Sequence, residues 1–110
     1  MIIDSHAHFV PPSLLAEISD TAADFPALEL VKYDNGFGFS FAGGKPTRPV
    51  KPSLSDVAER LDWMDQHQIE HQVVGGWLDM FGYEMPTEDG EKWSRLINKH
   101  LGAFAEAKKG

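Results

Sequence analysis

Residues 1–12, with the sequence MIIDSHAHFVPP, decide the fold, because they predict a buried strand over residues 1–8 that two prolines then terminate. The strand ends in His6 and His8, which should share one face because alternate residues of a strand point the same way. Asp4 should lie one pleat behind them on that face. Two imidazoles can bind one ion, but a catalytic zinc usually takes three protein ligands and a water. The strand therefore predicts part of a metal site.

The spacing of the two histidines leaves two interpretations open. Such a pair often arises by chance in a chain with five histidines. Its position favours function, since the carboxyl ends of parallel strands carry the active sites of α/β folds. The alternative is a polar strand end whose imidazoles are only hydrogen bonded. The other three histidines, His67, His71 and His100, are expected to be solvated or hydrogen bonded.

The rest of the chain predicts helices and strands in alternation. The pattern predicts a helix over 13–19 capped by Ser13, followed by an irregular stretch over 20–27. It then predicts a hairpin over 28–42, with a type I′ turn at Asn35 and Gly36, and a loop over 43–52. Next comes a helix that is capped by Ser53 with Asp56 and ends near Gln66. It is followed by a strand over 69–76, an aromatic loop over 77–83 and a helix capped by Thr87. This order predicts an α/β fold with parallel strands.

Two apolar stripes predict how the pieces pack. In the hairpin, Phe37, Phe39 and Phe41 alternate with small residues and should share a face. Packing onto the body is the favoured interpretation, and an aromatic wall over a substrate is the alternative. The last helix should bury one stripe of side chains, formed by Trp93, Leu96, Ile97, Leu101 and Phe104. It should end at the last three residues, Lys108, Lys109 and Gly110.

Composition narrows the class of protein. The chain has 110 residues, of which 42% are hydrophobic and 25% charged, as in one soluble domain. The formal charge of −7 argues against nucleic acid or an anionic membrane surface as the main partner. No segment is apolar enough to span a bilayer and the start lacks a signal-peptide profile, so a cytoplasmic location is expected. With no cysteine, any metal ligands must be nitrogen or oxygen.

Several short motifs together resemble a known family. The stretch from Ile3 to Pro11 resembles the opening Ile-Asp-x-His-x-His-x-x-Pro of the amidohydrolase-related metal enzymes, particularly the aminocarboxymuconate-semialdehyde decarboxylase group. Further segments follow in the same order at similar spacings: Arg48 to Val50, Arg60 to Asp65, Gln72 to Val74, Met80 to Tyr83, and Trp93 to Asn98. The resemblance covers most of the chain and is more specific for the superfamily than for the reaction.

The resemblance implies a (β/α)₈ TIM-type barrel with a divalent metal, usually zinc, at its C-terminal mouth. His6 and His8 would be first-strand ligands, and the other ligands and the catalytic histidine would lie beyond residue 110. Arg48 would bind a substrate carboxylate, for which guanidinium is suited; a solvated loop cation is the alternative. Phe81 and Tyr83 would contact the substrate, and the alternative for them is packing. Asp4 would orient one of the metal ligands, and the alternative is a purely structural hydrogen bond.

Two departures from the family qualify this expectation. Gln68 stands where the family often has glycine, so the turn before the second strand should differ. A barrel needs about 250 residues, whereas residues 1–110 supply two β/α units with an insertion at about 13–52, an incomplete barrel on their own. We expect a fragment, or a chain completed by a second polypeptide.

The expected function is part of a metal-dependent decarboxylase or hydrolase acting on a small carboxylated, ring-derived substrate. The alternative is a non-catalytic subunit or truncated product that completes a larger chain.

Overall fold

The computed structural model describes residues 1–20 and 25–107. Their elements are, in order, β1 (Ile2–Phe9), α1 (Pro12–Asp20), β2 (Leu28–Tyr33), β3 (Gly36–Phe41), α2 (Pro52–Ser55), α3 (Val57–Gln66), β4 (Ile69–Gly76), a 3-10 turn (Leu78–Met80) and α4 (Thr87–Ala107). The predicted α/β class is confirmed. Of the irregular stretch predicted at 20–27, residues 21–24 lie outside the described residues, and the helix stop at 108–110 lies entirely outside them.

The described residues form two separate two-stranded sheets and no closed barrel. Strands β1 and β4 run parallel, as the sequence predicts, and β2 pairs with β3 as an antiparallel hairpin. The parallel pair is irregular, because the register shifts between Asp4 and Ala7. Asp4 pairs with Gln72 and Ala7 with Val74, so β1 has one more residue than β4 between these two pairs, as in a β-bulge.

This irregularity decides which side chains occupy each face of the β1–β4 sheet. Paired residues of neighbouring strands project from the same face, and successive residues of one strand project from opposite faces. We call the first set the covered face: Asp4, Ala7, Phe9, Gln72, Val74 and Gly76. We call the second set the open face: Ile3, His6, His8, His71, Val73 and Gly75.

Packing at two adjacent glycines distinguishes the two faces. A Cβ atom added at Gly76, on the covered face, would lie 3.1 Å from Met80 and 3.5 Å from Ile97 of α4. A Cβ atom added at Gly75, on the open face, would meet nothing within 4 Å. Ile3 and Val73 on the open face are 56% and 58% exposed. One face of the parallel sheet is therefore packed, and the other presents apolar side chains to solvent.

The core lies between the hairpin and α4. Trp93 of α4 is fully buried, and its ring centroid lies 5.9 Å from that of Phe39 and 6.2 Å from that of Phe41. Its indole N–H donates to the carbonyl of Met80 at 2.6 Å. The aromatic stripe of the hairpin thus packs onto the body, which confirms the favoured interpretation. Within the described ranges, no helix is both long enough and apolar enough to cross a bilayer.

The hairpin turn differs from the prediction by one residue. Tyr33 pairs with Gly36, so the two turn residues are Asp34 and Asn35. A type I′ turn needs positive φ at both central residues, and neither of these residues has it. Gly36, the first residue of β3, instead takes a φ of 140°, which only glycine adopts readily.

The helix predicted from Ser53 to Gln66 is two helices, because the chain is extended at Asp56 (φ −83°, ψ 112°). The carboxylate of Asp56 accepts a hydrogen bond from the backbone N–H of Glu59 at 3.0 Å and caps α3. The assignment of Ser53 as the N-cap was therefore wrong. An acidic residue three positions before a glutamate was the signal for the true cap.

The turn between α3 and β4 keeps the geometry for which glycine is favoured. Gln68 adopts a φ of 58°, in the left-handed region. A non-glycine residue there costs about 1–2 kcal/mol relative to a right-handed conformation. The turn was expected to differ without glycine, but the structure retains the left-handed conformation in spite of the side chain.

Candidate metal centre

The two histidines of β1 converge at the carboxyl end of the parallel sheet. The Nε2 atoms of His6 and His8 lie 3.1 Å apart, and the rings meet edge to face with centroids 4.8 Å apart. His6 is exposed and His8 is half-buried. Both lie on the open face, where a Cβ atom added at Gly75 would meet nothing within 4 Å.

The contact that His8 makes with β4 leaves its outer nitrogen, Nε2, available as a ligand. Its Nδ1 lies 3.1 Å from the carbonyl oxygen of Gly76 on β4. A carbonyl oxygen can only accept a hydrogen bond, so Nδ1 is the donor in this contact, and in the neutral ring the lone pair is then on Nε2. This arrangement is typical of metal-binding histidines, whose second nitrogen is held by a backbone carbonyl or a carboxylate.

The pair fits two positions of a zinc ion. With Zn–N bonds of about 2.0–2.1 Å, tetrahedral geometry separates two ligand nitrogens by about 3.3 Å, close to the 3.1 Å between these Nε2 atoms. Across residues 1–20 and 25–107, no group of three or more histidine, aspartate or glutamate side chains is placed to hold an ion. His6 and His8 can therefore supply two ligands, and the described chain brings no third to them.

Asp4 was expected to lie on the same face as the histidine rings, but it does not. The register shift places it on the covered face, where its Oδ2 accepts a hydrogen bond from Nε2 of Gln72 at 2.9 Å. Its Oδ1 accepts from the backbone N–H of His6 at 3.2 Å. These hydrogen bonds, that from Gln72 first, lower the pKa of Asp4. The carboxylate thus contacts the backbone of His6 rather than its ring.

Arg60 of α3, for which no role was predicted, contacts Gln72 and the backbone of His8 from the covered face of the sheet. Its Nη1 donates to Oε1 of Gln72 at 2.7 Å, and its Nη2 donates to the backbone carbonyl of His8 at 2.6 Å. The guanidinium is half-buried and lies over the ring of Phe9, 5.0 Å from the centroid. Burial lowers the pKa of Arg60, and the charge of Asp4 partly offsets that effect.

Arg48 lies near the same end of the sheet but is already paired. Its Nε and Nη2 both lie 3.0 Å from Oδ2 of Asp79, and its guanidinium is 5.9 Å from the ring centroid of Trp77. The Arg48 side chain is 72% exposed. Trp77 directly follows Gly76, whose carbonyl contacts His8. No role was predicted for Asp79. Its ion pair with Arg48 shows that this guanidinium can bind a carboxylate.

Of the aromatic residues after β4, Phe81 lies against the covered face and Tyr83 is exposed to solvent. Phe81 approaches Gly76 from the covered face, where an added Cβ would lie 3.2 Å from its ring. Tyr83 is 87% exposed, and its ring centroid lies 5.8 Å from that of Phe81. The position of Phe81 favours packing over substrate contact.

The remaining histidines have the roles expected of them. His67 contacts the carbonyl of Trp63 through Nδ1 at 2.8 Å, and His71 is exposed on the open face. His100 is buried, and its Nδ1 lies 2.7 Å from the hydroxyl of Ser13, joining α4 to α1.

Comparison with known proteins adds no assignment. No family model matches the chain, and no curated protein matches it significantly.

Proposed function

We propose that this chain contributes two imidazole ligands, His6 and His8, to the divalent metal site of an amidohydrolase-related enzyme. The observation that carries the proposal is the convergence of their Nε2 atoms to 3.1 Å, with Nδ1 of His8 directed at a backbone carbonyl. Placement at the carboxyl ends of two parallel strands supports it, since that edge carries the active site in parallel barrels. Zinc is the expected metal.

The open face supports the view that more β-structure completes the site. Parallel sheets are almost always covered on both faces, and two strands alone are marginal in water. Here Ile3 and Val73 remain more than half exposed on the open face. We propose that a second polypeptide supplies the rest of a (β/α)₈ barrel, together with the missing ligands and the catalytic residues.

The proposed reaction is decarboxylation of a small carboxylated, ring-derived substrate, with hydrolysis as the alternative. A bound metal would supply Lewis acidity toward the substrate or an activated water. Arg48 would hold the substrate carboxylate, and its contact with Asp79 is the observation that supports this role. Decarboxylation is preferred because the segments around Arg48 and Met80 to Tyr83 resemble the decarboxylase group.

A non-catalytic role is the second candidate. The described residues provide only two converging ligands, and the open face offers apolar surface for a larger chain. In that case the chain would complete or stabilise its partner without holding the reacting groups.

X-ray absorption spectroscopy of the zinc-loaded full chain tests the metal assignment. We expect two imidazole nitrogens at about 2.0–2.1 Å, with oxygen from water in the remaining positions. A spectrum fitted by oxygen ligands alone would contradict the proposal.

Carboxylate binding at Arg48 can be tested with benzoate as the probe. Titration followed by NMR should shift the Trp77 indole resonance, and Arg48→Met should abolish that shift. Asp79→Asn should tighten benzoate binding by up to about fivefold, because an exposed ion pair is worth about 0.2–1 kcal/mol. The matched control is Arg95→Met, which removes an exposed arginine paired with Glu91. Benzoate binding unaffected by Arg48→Met would reject the assignment.

A further inference from the structure

We propose that Arg60 is the positioning residue of the His6–His8 pair, fixing the backbone of both histidines from the covered face of the sheet. This inference rests on the proposed metal function and extends it to a residue of α3. Three arms of contacts carry it.

The first arm is direct. Nη2 of Arg60 donates to the backbone carbonyl of His8 at 2.6 Å and lies 3.2 Å from the carbonyl of Ser53. A charged donor makes a stronger hydrogen bond than a neutral one. The guanidinium therefore anchors the end of β1 to the segment that begins α2.

The second arm runs through two side chains. Nη1 of Arg60 donates to Gln72 at 2.7 Å, and Gln72 donates in turn to Asp4 at 2.9 Å. Asp4 accepts the backbone N–H of His6 at 3.2 Å. One guanidinium thus reaches the backbone at both histidines, on the face opposite to their rings.

The third contact is with Phe9, the residue after His8. The guanidinium carbon of Arg60 lies 5.0 Å from the centroid of this fully buried ring. The interaction holds the arginine against the sheet. Within the described residues, its Nε is buried and has no hydrogen-bond partner, whereas its two terminal nitrogens contact Gln72 and the carbonyls of His8 and Ser53.

The shape of the guanidinium matters as much as its charge. Its planar fork presents two terminal nitrogens in fixed directions, whereas a lysine ammonium is a single point donor. Lysine could retain the positive charge near Asp4 but could not contact Gln72 and the carbonyl of His8 in the same way. Arg60→Lys therefore separates a geometric role from an electrostatic one.

The test is the zinc affinity of the full chain, measured by competition with a chromophoric chelator, together with the visible spectrum of the cobalt-loaded protein. Arg60→Met should weaken zinc binding about 10- to 100-fold, the usual effect of losing a group that orients metal ligands. The cobalt spectrum at saturation should also change, because the ligands lose their fixed geometry. A residue that contributed only to folding would leave the spectrum of the saturated, folded protein unchanged.

Controls and second variants keep the outcomes distinct. Arg95→Met removes an exposed arginine of α4 and should leave both readouts unchanged. Gln72→Met breaks only the second arm and should cause a smaller loss, which provides a test if Arg60→Met does not fold. Arg60→Lys should remain impaired.

Three results would overturn the inference in different ways. Normal zinc affinity and an unchanged cobalt spectrum in folded Arg60→Met would reject it while leaving the metal site intact. Full recovery in Arg60→Lys would show that charge, not geometry, is what the site needs. A wild-type chain that binds no zinc would overturn the proposed function and this inference together.

Discussion

Zinc affinity should fall at least about 100-fold when His6 and His8 are both replaced by alanine. Loss of a group that only orients a ligand already costs about 10- to 100-fold, and the double variant removes the ligands themselves. Their Nε2 atoms are the converging nitrogens of the site, 3.1 Å apart. Each single variant should lose most of the affinity, because one imidazole and water cannot hold the ion as two imidazoles do. The measurement is isothermal titration with zinc at neutral pH.

The matched control for this experiment is His71→Ala. His71 lies on the same open face and is exposed, so it offers the same kind of side chain. Its register partner is Ile3, whereas that of His8 is Gly75, farther along both strands. His71→Ala should leave zinc affinity unchanged. An equal loss in control and double variant would mean that zinc binds non-specifically to surface imidazoles, and full affinity in the double variant would overturn the ligand assignment.

The largest loss of folding stability should follow Trp93→Ala. Trp93 is fully buried, contacts Phe39 and Phe41, and donates its indole N–H to Met80. Truncating a buried tryptophan typically costs about 3–5 kcal/mol. A single domain is stable by only about 5–15 kcal/mol, so this change should remove a large part of the free energy of unfolding. Urea denaturation followed by circular dichroism gives the value.

An exposed tryptophan provides the control for that substitution. Trp63 of α3 is 45% exposed, and its ring centroid lies 4.6 Å from that of His67. Trp63→Ala should cost less than about 1 kcal/mol, as is usual for surface positions. Similar losses in the two variants would show that the hairpin and α4 do not form the main core.

Local sequence patterns predicted most of the elements. The alternation around Phe39 indicated the buried face of the hairpin, the spacing from Trp93 to Ile97 indicated the buried stripe of α4, and residues 1–8 indicated the strand that carries the histidines. These features depend on neighbours within a few residues, and such short-range periodicity is what a single sequence reveals. The parallel direction of β1 and β4 followed from the helices between them.

Features that depend on distant residues could not be predicted in this way. The displacement of Asp4 from the histidine face arises from pairing with β4, about 70 positions along the chain. The role of Arg60 depends on contacts with Gln72 and the carbonyl of His8, which no spacing along the helix encodes. The break at Asp56 was a local error, since its capping signal was present in the sequence.

The pairing of β1 with β4 has a consequence for how the protein folds. Ile2 pairs with Ile69 and Phe9 with Gly76, so every contact of this sheet closes a long loop, whereas β2 and β3 meet across two residues. Loop closure costs entropy before long-range contacts compensate for it, and non-local pairing slows folding. The hairpin should therefore form early and the parallel pair late. The imidazole of His8 is brought to the carbonyl of Gly76 only at this late step, so zinc capture with full affinity during refolding would time the formation of the parallel sheet.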